Sequence, residues 1–155
     1  MRREEPGDRA FLLGLYGDGR ADELAAVPWS PLDRLRFLGS QFAAQEAHYA
    51  ANEAAADRWI VTRGDHGIGR LYLAREPRWW RLLEIAIKPG EQRGGIGGAL
   101  VGWTIEAAAA ARAGVELQVI LDNTGAIALY RRLGFAEAPP HGASRLRMRR
   151  PRAPS

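Results

Sequence analysis

The chain has no cysteine, one lysine (Lys88) and three histidines (His48, His66 and His141). Without cysteine there is no disulfide, no thiol nucleophile and no thiolate metal site. The histidines lack metal-ligand spacing, and no metal is expected. No stretch approaches the roughly 20 apolar residues of a membrane span. The opening MRREEPGDRA has no apolar signal core, so a cytoplasmic location is expected. Repeats and long linkers are also missing. What remains is 155 residues, 46% hydrophobic, enough for one domain (1–155) with a packed core. The preference for arginine over lysine reads as a GC-rich, bacterial coding bias.

The net charge of +4 comes from the C-terminus, where Arg145, Arg147, Arg149, Arg150 and Arg152 cluster; without those five it is −1. In RLRMRR the arginines alternate with Leu146 and Met148, the period of a half-buried strand whose charged outward positions discourage edge pairing. Neither nucleic acid nor a membrane is therefore an expected partner.

The periodicity predicts helices over 8–27 and 32–55, the second started by Ser30-Pro31, with Leu35, Leu38, Phe42 and Tyr49 as its apolar positions. RWIVTR (58–63) and IGRLYLA (68–74) read as a hairpin around GDHG, followed by the apolar strand RLLEIAIK (81–88). A helix is predicted over 95–113, with Gly114 as its C-cap and Trp103 as packing. Strand 115–121, a helix at 125–133 and short strands within 135–150 complete the chain. The strand–helix–strand unit at 81–121 requires parallel pairing with a right-handed crossover, while the rest is antiparallel. The fold class is thus α/β in the α+β sense: a mixed sheet flanked by helices.

EQRGGIGGAL (91–100) joins strand to helix with four glycines in five positions. Such a turn suits a phosphate, because helix N–H groups point outward and glycine lets the backbone close in. It is not a P-loop, since Ile96-Gly97 stands where Lys-Ser/Thr is needed. Nor is it a dinucleotide turn, since Leu100 replaces the third glycine.

It does match Gln/Arg-x-x-Gly-x-Gly/Ala as Gln92-Arg93-Gly94-Gly95-Ile96-Gly97, the acetyl-CoA signature of the GNAT-type N-acetyltransferases. A second block, DNTGAIALYRRLGF (122–135), matches that superfamily's pattern at Asn123, Ala126, Leu129, Tyr130, Gly134 and Phe135. The chain therefore resembles GNAT-type N-acetyltransferases, well over 58–150 and in outline before that. The resemblance implies the GNAT acyl-CoA N-acyltransferase fold. A short strand (MRREE) and two helices would fill 1–55, a CoA-binding core 58–135 and C-terminal strands 135–150.

The resemblance further implies acetyl transfer from acetyl-CoA, as cosubstrate, to a small-molecule or peptide amine by direct attack. Backbone N–H groups from Gln92, Arg93, Gly94, Gly95, Ile96, Gly97 and Gly98 would hold the pyrophosphate. Backbone groups of Ile85, Ala86 and Ile87 would pair with the pantetheine arm, which requires 82–88 to splay from 115–121. Asn123 would sit near that arm while capping its own helix, and Arg93 and Arg132 are candidates for the cofactor phosphates. Tyr130 would protonate the leaving thiolate. Glu84, the lone acid in RLLEIAIK, is the candidate base, a water chain to solvent being the other route. Some relatives carry a glutamate where this chain has Gln118, and Glu116 lies two residues earlier.

Trp29, Tyr49, Trp79 and Trp80 are candidates to line the acceptor site, and His48 could face it or not. A homodimer is left open. The rival expectation is a CoA-binding sensor or scaffold with little catalysis, motivated by Gln118. A nucleic-acid binder using the arginine tail is the least favoured.

Overall fold

The computed structural model describes residues 1–154 and every side chain among them except that of Arg93. Its strands are β1 (Arg2–Arg3), β2 (Asp57–Arg63), β3 (His66–Arg75), β4 (Trp79–Ile87), β5 (Gly114–Ile120), β6 (Ala136–Glu137) and β7 (Arg145–Arg150). Its helices are α1 (Arg9–Gly19), α2 (Ala21–Ala25), α3 (Pro31–Asn52), α4 (Ile96–Ala110) and α5 (Thr124–Arg132). The strands form one mixed sheet in the order β1-β2-β3-β4-β5-β7-β6. The β4–α4–β5 unit supplies the parallel pair as the sequence requires, and every other pairing is antiparallel.

Helices cover both faces. Between the sheet and the α4–α5 side lies the main core, with Leu71, Leu73, Leu82, Leu117, Met148, Val101 and Ala108. A smaller cluster, Leu12, Phe42 and Ile60, joins α1 and α3 to the other face. Among the described residues no helix is long and apolar enough to cross a membrane.

Several expectations need correction. The predicted helix 8–27 is two helices, broken at Arg20, whose N–H turns back to the carbonyls of Asp18 and Gly17. Leu35 faces solvent (66% exposed), so only Phe42 of the predicted apolar row is deeply buried on α3. Gly114 does not cap α4. The left-handed residue after that helix is Arg112 (φ 59°), and Gly114 starts β5. Its glycine is needed for close packing, because a Cβ there would lie 2.5 Å from the Trp79 ring. Trp103 is 36% exposed and lies on the outside of α4.

Candidate functional site

β4 and β5 pair only from Trp79↔Gly114 to Leu82↔Leu117. Beyond that point β4 stays paired to β3 as far as Ile87, and β5 to β7 as far as Ile120. The two strands therefore splay, and the edge of β4 after Leu82 is open. The Lys88 N–H donates to the Ile68 carbonyl. Alternation along an antiparallel strand then turns the Ala86 backbone groups toward β3 and those of Ile85 and Ile87 toward the opening. Ala86 is thus corrected: its backbone serves the β3–β4 ladder, and its two neighbours offer the free edge. The Gln92 side chain already donates to the Ile87 carbonyl (3.1 Å).

At the end of β4, a 3₁₀ turn (Pro89–Gly94) leads into α4 through Gly95, whose φ of 72° favours glycine. The first hydrogen bond of α4 runs from Ala99 N–H to the Gly95 carbonyl, leaving the N–H groups of Ile96, Gly97 and Gly98 without a helical partner. A Cβ on Gly97 would meet no atom within 4 Å, and one on Gly94 only the Ile96 side chain at 3.8 Å. Helix-on-sheet packing does not explain these glycines. They border open space fronted by unpaired N–H groups at a positive helix end, which fits a pyrophosphate.

Asn123 caps α5, its side chain accepting from the Ala126 N–H (3.2 Å). On that helix Tyr130 is buried (8% exposed) against Phe135, ring centroids 5.8 Å apart. Burial pushes the phenol above its ordinary pKa. Its hydroxyl has no hydrogen-bond partner among the described residues. Arg132 lies exposed on the same helix, and the Arg93 side chain falls outside the described ones.

On the α3 face, Glu84 sits opposite Tyr72 in the β3–β4 ladder. Its Oε2 accepts from the Tyr49 hydroxyl (2.9 Å) and from Arg70, leaving Oε1 without a described partner. Arg70 is 1% exposed and also binds Glu46 (3.2 Å) and Gln45 (2.9 Å). Burial and the nearby Glu84 charge both push the Tyr49 phenol far up. Tyr72 is likewise raised, by burial and by donating to Glu4.

A cleft of about 450 Å³ opens beside this cluster where the strands part. Gln45, His48 and Tyr49 line it from α3, Glu53 from just after that helix, Arg81 and Leu83 from β4, Glu116 and Gln118 from β5, and Arg145 from β7. Of the four aromatic candidates only Tyr49 lines it. Trp29 is exposed before α3 against Phe37, 5.1 Å between centroids. Trp79 and Trp80 sit at the far end of β4 from the glycine turn: Trp79 under Arg149 and Trp80 buried under Arg75. His48 faces the cleft, its Nδ1 against Asn52 (3.2 Å). His66 and His141 are exposed elsewhere.

Sequence reasoning missed Arg70. The available signal was Arg70 and Tyr72 two apart in an otherwise apolar strand, marking a polar stripe on one face.

The acetyltransferase (GNAT) family matches residues 24–135. No curated protein matches the chain. Among solved structures it is similar to the PaiA N-acetyltransferase of Thermoplasma acidophilum in complex with coenzyme A, at 16% identity over 97% of this chain and 96% of that one, TM-score 0.69. It is also similar to the ribosomal-protein-S18-alanine N-acetyltransferase of Escherichia coli (22% identity, 99% and 94% covered, TM-score 0.68). A third is the spermidine N-acetyltransferase of Vibrio cholerae in complex with CoA and spermine (21%, 96% and 92%, TM-score 0.62). At these identities the likeness is one of fold.

Proposed function

This chain belongs to the acetyltransferase (GNAT) family, and from that premise we propose that it transfers the acetyl group of acetyl-CoA to a primary amine of a small molecule or peptide by direct attack. One observation carries the reading. The open edge of β4 runs into a glycine turn where the N–H groups of Ile96, Gly97 and Gly98 lack a helical partner and Gly95 and Gly97 border empty space. That arrangement suits an extended arm ending in a pyrophosphate. The spermidine and S18-alanine enzymes among the similar structures support an amine as acceptor.

Acetyl-CoA, when bound, supplies an acetyl thioester. The backbone N–H groups of Ile96, Gly97 and Gly98 hold phosphate, and the Ile85 and Ile87 edge holds the arm, its N–H groups also the candidates to polarise the thioester carbonyl. Tyr130 keeps its proton, because burial favours the neutral phenol, and gives it to the departing thiolate. Glu84 Oε1, the free oxygen of the carboxylate, takes the ammonium proton directly or through water. The same proposal puts the protein in the bacterial cytoplasm, supported by composition alone.

Acetyl-CoA should raise the melting temperature more than ATP or NAD does, and thiol release should appear with at least one member of a panel of amines, amino acids, aminoglycosides and peptides. Failure of both sinks the proposal. The rival reading, a CoA-binding sensor or scaffold, has one observation in its favour: Gln118 lines the cleft where an acid could stand. It predicts stabilisation by acetyl-CoA with no thiol release.

A further inference from the structure

The charges around the cleft narrow the acceptor further, on the premise of the acetyl-transfer reading above. Two carboxylates line the cleft, and both are taken. Glu53 receives two hydrogen bonds from Arg81 (2.7 and 2.9 Å). Glu116 Oε2 receives one from Arg147 (2.7 Å) and one from Arg149 (2.6 Å). Glu84, behind Tyr49, is held by the buried Arg70. Among the described residues, no carboxylate at or directly behind the cleft is without a guanidinium. An acceptor with a second ammonium group would find no unengaged anion here and would meet the cationic face of β7.

The opposite sign is on offer. Arg145 lines the cleft and has no acidic partner among the described residues. It lies on the same face of β7 as Arg147 and Arg149, which already share the Glu116 carboxylate, so that face carries three guanidinium groups and Arg145 is the one left over. Further hydrogen-bonding groups stand nearby: Gln118 on β5, and His48 on the α3 wall. Guanidinium against carboxylate gives a charge-assisted, two-bond fork.

We propose that the acceptor is a primary amine that also carries a carboxylate, a small amino acid in the chemical sense, whose carboxylate pairs with Arg145 while its amine points to the splay between β4 and β5. Because Arg145 is exposed, its contribution to recognition is about fivefold in kcat/KM.

The test compares the amino acids with their own carboxamides, with polyamines and with amines bearing a phosphate, following thiol release for the wild type, R145Q and R145K. The expected result is an acid-over-carboxamide preference of about fivefold in kcat/KM, collapsing toward one in R145Q and partly kept in R145K. Retained stabilisation by acetyl-CoA shows that each variant is folded. A wild-type preference for polyamines or phosphate-bearing amines overturns the proposal, as does an acid-to-carboxamide ratio that R145Q leaves unchanged. Those outcomes leave acetyl transfer itself standing. Absence of both acetyl-CoA binding and thiol release overturns the acceptor inference together with the reading beneath it.

Discussion

At the residue scale, Tyr130 bears the most specific chemical demand. A phenol of ordinary pKa near 10 must stay protonated to serve a thiolate, and its burial on α5 works in that direction. Tyr130→Phe removes the proton and keeps the ring against Phe135. Turnover should fall about 100-fold, the lower end of what a positioned acid contributes, while KM for acetyl-CoA barely moves. The alkaline limb of the wild-type kcat profile should lie above the ordinary phenol range and be missing from the variant. Unchanged turnover removes Tyr130 from the chemistry. This residue was legible from sequence because its motif is local: Asn123, Leu129 and Gly134 lie within seven positions of it.

At the scale of elements, local patterns were readable and joint constructions were not. β2, β3, β4 and β5, the parallel β4–β5 pair and the Ser30 and Asn123 caps follow from period, turn residues and spacing. The polar knot on the α3 face does not. Arg70 on β3 finds its partners 14 residues downstream on β4 and 24 and 25 residues upstream on α3, distances over which period carries no information. For the same reason the two tryptophans of β4 read as site residues, whereas strand direction puts them at the wrong end.

The knot also makes a prediction. Arg70→Met leaves Glu84 and Glu46 in place without their buried cation. Breaking a buried pair from one side costs about 3–5 kcal/mol, and here the lower figure applies because both carboxylates keep some solvent contact. Urea unfolding should show a loss of about 3 kcal/mol, and turnover should fall as Glu84 loses its anchor. A loss below about 1 kcal/mol would mean that the ion pair holds neither the fold nor the carboxylate.

At the scale of the whole molecule, the sheet carries an ion pair at β1 and a triad across β5 and β7. Hydrogen bonds from the Arg2 guanidinium hold Asp8 below the usual carboxylate range, outweighing its desolvation. Burial alone would raise Glu116, but hydrogen bonds from Arg147 and Arg149 outweigh it and hold that carboxylate low as well. Both groups bind a proton more weakly folded than unfolded, so the unfolded chain takes up protons first as pH falls. The stability they contribute is complete above the unfolded values of about 3.9 for Asp and 4.3 for Glu. It is lost as pH drops through the lower folded values. Four strand-to-strand steps of about 4.8 Å separate β1 from β5, roughly 19 Å, so the two contributions should add. Urea midpoints measured from pH 6 to pH 2 should fall on the acid side for the wild type. Asp8→Asn and Glu116→Gln should each lower the plateau and flatten part of that fall, and the double variant should flatten it by the sum. An acid limb that survives intact in the double variant would move the proton-linked stability to other groups, with the Arg70 knot the next to test.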